Sequence, residues 1–202
     1  MRCNIIAPEV NVNKRLYLCL AVCAVGSLCS AQTTASPTNP ITQSEKGLYS
    51  FIAGAAVGAA AKMPEENYSF KPTPDVRSFG QLVGHVADAN YGFCAAAAGE
   101  KPPAGGFDGS NSFEKSKTAK ADLEKALAAS FEYCDKVYTN MTDTAAAQMV
   151  KLFVNELPKL SVLEFNTHHE FEHYGNMVTY MRLKGIVPPS SEQNPPPAPS
   201  SK

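Results

Sequence analysis

The sequence predicts an all-α fold, a four-helix bundle with long connections and a short extra helix before the last one. Three observations lead there. Four segments of helical length carry apolar residues three and four apart. Connectors rich in Gly and Pro separate them. No segment alternates apolar and polar residues as a half-buried strand would.

Residues 1–31 read as a secretory signal peptide. Lys14 and Arg15 form a positive start, Leu16 to Leu28 is an apolar run, and Cys29-Ser30-Ala31 supplies small residues at a cleavage site. The run is shorter than the ~20 residues that span a bilayer, so no membrane association is expected after cleavage. Export to the periplasm or the extracellular space follows. Residues 32–43, polar with two prolines, read as a linker, and residues 44–189 as the folded domain. The Pro/Ser-rich tail 190–202 cannot build a core.

Within the domain, the first helix begins at Ser44, is rich in alanine and stops near Met63-Pro64. The second runs from about Val76 to Ala98, capped by Asp75 or Ser78. A Gly/Pro-rich connector follows, and Asn111 with Glu114 resembles a capping box for a third helix spanning Phe113 to Thr139. Thr142 or Asp143 caps a short helix that Pro158 interrupts. The last helix extends from about Lys159 to Lys184, with Gly185 as its terminating residue and Pro188-Pro189 beyond it.

The formal net charge of −1 and pI near 6.4 argue against a nucleic-acid partner. Of six cysteines, only Cys94 and Cys134 follow the leader. They read either as one disulfide of an oxidising compartment or as two separate buried thiols.

Three of the four histidines lie in "HHEFEHYGNMVTYMRLKGIVPP", residues 168 to 189. His169 and His173 are four apart, so both share one helix face and can reach one ion. His168 points away by ~100° of helical rotation per residue and is expected in solvent. On a helical wheel, Leu160, Leu163, Thr167, Phe171, Tyr174, Val178 and Met181 form the core-facing arc, with His169 and His173 at its border. Glu170 falls inside that arc, where a carboxylate needs a partner. It reads either as an acid or orienter beside a metal or as a salt-bridged structural residue. His85 sits at the edge of the second helix's apolar arc, formed by Phe79, Leu82, Val83, Val86, Ala89 and Phe93. It is the natural third ligand, and three protein ligands with an open position are typical of catalytic zinc sites. Asp88 or Gln81 could orient His85 or line the site. The competing reading is a bundle whose histidines are satisfied by packing.

"NYSFKPTPDVRSFGQLVGHVADANY" together with "HEFEHYGNMVTYMRLKGIVPPSS" resembles the DinB-like (DinB/YfiT-like) superfamily of metal-binding four-helix-bundle proteins, over roughly residues 44 to 191. The resemblance implies a metal triad of one histidine on the second helix and an HxxxH pair on the last, matched here by His85, His169 and His173. It implies zinc or nickel as the ion. Tyr174, Tyr180 and Arg182 match further family positions. For activity the resemblance implies both thiol-using transferases or isomerases and metal-dependent hydrolases. The three-His pattern with no fourth strong ligand leads to a hydrolase of an unknown small-molecule substrate, with Glu170 or Asp88 as the candidate base or orienter. Alternatives are a metal-dependent thiol transferase or isomerase and a non-enzymatic metal-binding scaffold. The export signal departs from the thiol-using cytoplasmic members. Homodimers occur among such proteins, although no interface is legible in this sequence.

Overall fold

The computed structural model describes residues 38–107 and 112–192. The expected signal peptide and Asn111 lie outside the described residues. The body is helical: α1 Pro40–Lys62, α2 Phe79–Ala98, α3 Phe113–Ser116, α4 Lys120–Asn140, α5 Asp143–Ala146, α6 Lys159–Leu183 and α7 Pro189–Glu192. α1, α2, α4 and α6 are the four long helices. α2 is the central one and packs on both α4 and α6, while α1 closes the bundle against α6 and α4. Among the described residues no helix is long and apolar enough to cross a membrane.

Local chemistry sets most boundaries. α1 starts at Pro40, four residues before Ser44, because proline is pre-set for the first helical turn. Its first backbone N–H groups are capped from a distance: Ile41 and Thr42 N–H donate to the Asp143 carboxylate. Ala55, Ala56, Ala59 and Ala60 are buried, and their small side chains let α1 lie close to its neighbours. Ser78, not Asp75, caps α2, in a capping box with Gln81, so the helix begins at Phe79 instead of Val76. The third predicted helix is broken. Lys117–Ala119 is extended, leaving α3 as a single turn and α4 as the bundle helix. Thr142 caps α5 by accepting from Ala145 N–H. α6 ends where Gly185 takes φ 72°, a left-handed conformation suited to glycine.

Two corrections concern α6 and the segment before it. An antiparallel hairpin, β1 Met149–Leu152 and β2 Asn155–Pro158, forms where a helix was expected to run on to Pro158. Of the strand residues only Val150 is of a β-branched type, and the strands are only four residues long. That is too short for periodicity to separate strand from helix. The second correction is rotational. Phe171 is half-exposed, and the buried columns of α6 are Val162–Asn166–Glu170–His173–Met177–Tyr180 and Leu163–Thr167–Tyr174–Met181. The core face is therefore turned toward His173 relative to the predicted arc.

A disulfide joins Cys94 on α2 to Cys134 on α4, with Cα atoms 5.4 Å apart. It ties the central helix to its main neighbour across a sequence separation of 40 residues. A link of that span stabilises by roughly 2–4 kcal/mol.

Candidate metal centre

His85 from α2 and His169 and His173 from α6 meet where the two helices pack. Nε2 of His169 lies 3.2 Å from Nε2 of His85 and 3.0 Å from Nε2 of His173. One ring nitrogen from each residue falls within a single 4.8 Å cluster, the one such group of His, Cys, Asp or Glu among the described residues. Two nitrogens each ~2.0–2.1 Å from a tetrahedral ion stand ~3.3–3.4 Å apart, close to both observed separations. The donor set fits a divalent transition metal.

His85 is held by a carboxylate. Its Nδ1 lies 3.0 Å from Glu114 Oε2, and the other Glu114 oxygen accepts from Arg77 Nε at 2.8 Å. An ionised carboxylate only accepts, so the Nδ1 of His85 carries the proton and its Nε2 turns a lone pair toward the cluster. Nδ1 of His169 and of His173 are buried without hydrogen-bond partners. Those two rings are held by the helix and its packing alone.

Electrostatics keep the cluster neutral. Burial pushes the His169 imidazole down to about 3, helped by its neighbours His173 and His85. Burial, then His85 and Arg77, brings His173 down to about 4. His85 is also lowered, by burial first and Arg77 second, with Glu114 opposing. All three rings are thus unprotonated at neutral pH, the form that ligates a metal.

The centre is open to solvent from two sides. A cavity of about 520 Å³ reaches His173 and is also lined by Lys71, Arg77, Glu172, Asn176 and Tyr180. A second, of about 310 Å³, reaches His85 and His169, with Phe107, Lys115, Arg77 and Glu114 in its wall. Arg77 and Glu114 line both. Tyr180 holds the Arg77 segment against α6 by donating to the Arg77 carbonyl at 2.9 Å.

The remaining site candidates separate cleanly. His168 is exposed, as its rotation predicts. Asp88 lines the smaller cavity, but both its oxygens accept bonds from the start of α3: Ser112 Oγ at 2.7 Å, Phe113 N–H at 2.9 Å and Glu114 N–H at 3.1 Å. It anchors the turn that carries Glu114. Gln81 is spent in the α2 cap, although it also lines the larger cavity. Glu170 turns into the bundle core, 1% exposed, where Asn166 Nδ2 donates to it at 2.8 Å. Burial raises its carboxyl well above the usual range, against the Asn166 bond and with the help of Glu45. Glu170 is a core acid whose burial favours the protonated form, and it has no bond to either imidazole of the HxxxH pair. Glu114 is the residue that sequence reasoning missed in this role. Its only sequence signal was a helix-capping pattern, and no spacing rule links residue 114 to residue 85 across the fold.

Three histidines converging between two of its helices define the protein as a helical bundle with a candidate metal-binding group. The chain belongs to the DinB superfamily, whose family model matches residues 53–177. Members of this superfamily commonly bind metal. Solved structures agree on the fold. A DinB-like protein from Bacillus cereus ATCC 10987 is 16% identical with a TM-score of 0.61, over 73% of this chain and 95% of that one. A DinB-like protein from Bacillus subtilis is 20% identical with a TM-score of 0.58, over 71% and 94%. A mutant of the mycothiol-dependent maleylpyruvate isomerase is 12% identical with a TM-score of 0.56, over 67% and 60%. Among curated proteins none matches the chain significantly.

Proposed function

We propose that this protein is an exported, metal-dependent hydrolase whose ion is held by His85, His169 and His173. The observation that carries the reading is the convergence of three neutral Nε2 atoms at 3.0 and 3.2 Å, beside two open cavities. Zinc or nickel suits the set, since all-imidazole ligation accepts several divalent ions. Three protein ligands leave room for a small-molecule substrate, as catalytic sites require. When bound, such an ion supplies Lewis acidity and brings the pKa of water toward ~7.

The chain's own residues do the rest. Glu114 sets the tautomer of His85. Glu172, on the wall of the larger cavity beside His173, is the carboxylate offered to take a proton. Arg77, shared by both cavities, meets negative charge that develops on the substrate. Export is supported by the apolar run at 16–28 and by the Cys94–Cys134 disulfide, a bond typical of oxidising compartments.

Metal analysis of the purified mature protein is the first test. About one equivalent of zinc or nickel is expected, and less than roughly a tenth after reconstitution would sink the proposal. Metal-dependent turnover of one class in a panel of esters, lactones and phosphoesters is the expected second result. A second reading, a thiol-dependent transferase or isomerase, is favoured by the likeness to the mycothiol-dependent isomerase. It requires that added low-molecular-weight thiols perturb the spectrum of the cobalt-substituted protein. N-terminal sequencing of secreted protein should begin at Gln32.

A further inference from the structure

The Gly/Pro-rich connector between α2 and α4 does more than join them. Its α3 turn is built onto the helix that bears His85, at three points. Asp88, one turn beyond His85, accepts from Ser112 Oγ, Phe113 N–H and Glu114 N–H. Gly84, immediately before His85, lies so close to the turn that a Cβ there would meet Glu114 N and Cα at 2.7 Å. Gly105 takes φ 53°, and a Cβ on it would meet Asp88 Oδ1 at 2.7 Å. The product of this close fit is the 3.0 Å contact between Glu114 Oε2 and His85 Nδ1.

Resting on the metal reading above, we infer that Glu114 is a positioning residue for the centre, delivered to His85 by the seat that Asp88, Gly84 and Gly105 make for the α3 turn. His85 is the one ligand contributed by a different helix from the other two. It is also the one whose far nitrogen has a partner, while those of His169 and His173 have none. Because the HxxxH pair is arranged by α6 itself, the third ligand is the variable part of the site. A carboxylate behind a ligand imidazole fixes its ring and raises its basicity, and losing such a partner costs ~10–100-fold in metal affinity. Asp88 acts one step further back: it holds Glu114, and Glu114 holds His85.

The test is zinc affinity of the full mature chain by chelator competition, with thermal melts of the metal-free proteins alongside. Glu114→Ala should weaken zinc binding ~10–100-fold, and Glu114→Gln, which keeps an acceptor, should recover part of that loss. Asp88→Asn should weaken it too, but the Asp88→Asn/Glu114→Ala pair should be no weaker than Glu114→Ala alone, because both act through one contact. In a His85→Ala background, Glu114→Ala should change nothing further. Affinity within twofold of wild type in both Glu114 variants, or equal losses with and without His85, would overturn the inference while leaving the metal reading intact. A wild-type chain that takes up no zinc would remove both. Since Glu114→Gln is nearly isosteric, its melt shows whether a lost affinity is only a lost fold.

Discussion

His169 and Glu170 are neighbours in sequence, yet they belong to two polar clusters of opposite character. The histidine cluster brings Nε2 atoms within 3.0 and 3.2 Å of one another beside open cavities. The Glu170 cluster is a network buried inside the bundle, in which Glu170 Oε2 and Asn166 Oδ1 have no partner. Asn166 donates to Glu170, Tyr138 donates to the Leu163 carbonyl at 2.7 Å, and Thr167 donates to Glu45 at 2.5 Å. Tyr49 stacks on Tyr138 with ring centroids 3.9 Å apart. Glu170 is 1% exposed, whereas the histidines line two cavities, so access and geometry separate the site from the packing. The core groups bond to one another within the bundle and burial favours the protonated form of Glu170, whereas the histidines bring ring nitrogens from two helices together at a spacing that suits a cation.

The largest break of this contrast comes from removing a ligand. His85→Ala, His169→Ala and His173→Ala should each weaken zinc binding by more than the ~100-fold that marks loss of an outer partner, read by chelator competition. Glu170→Gln should leave that affinity within a few-fold. If Glu170→Gln abolished metal binding, the two clusters would be one site.

Acid separates them next. The histidines' folded pKa values are depressed below the ordinary 6.5, to about 3 for His169 and about 4 for His173. The unfolded chain therefore binds more protons. The stability these rings contribute is full above pH 6.5 and is lost as pH falls from there toward 3–4. The metal-free protein should melt lower at pH 5 than at pH 7.5, and a His169→Ala/His173→Ala variant should lose less over the same interval.

Tyr138→Phe cuts the centre of the core network, leaving Leu163 and Asn166 short of a partner. It should cost ~1–3 kcal/mol in denaturant titration with zinc affinity unchanged. Glu170→Gln should act the other way. The folded carboxyl is raised, so folding favours its protonated form. That contribution is present at low pH and is lost as pH rises through the folded value. The variant should therefore be more stable than wild type at pH 8, by a margin that shrinks toward the ordinary glutamate range. The smallest effect belongs to His168→Ala, within about ±0.5 kcal/mol and with no change in metal uptake, as befits an exposed position.

Much of this was legible in the chain itself. Helical spacing alone paired His169 with His173, sent His168 to solvent and marked Glu170 as an uneasy core residue. Ser78, Thr142 and Gly185 announced helix ends, since caps are local hydrogen-bond chemistry. These features depend on residues a turn or so apart. The long-range decisions needed the fold. It brought His85 to the α6 pair, joined Cys94 to Cys134 and turned the α6 core face so that Phe171 came outward. It also made a hairpin of residues 149–158, whose four-residue strands are too short to announce themselves by period. The role of Glu114 was the most deeply hidden. It lies 29 residues from His85 and reaches it only because Gly84 lets the α3 turn touch α2. Sequence determines what a residue can do with its helical neighbours; packing decides which distant group it meets, because that depends on helix rotation and approach that no local rule carries.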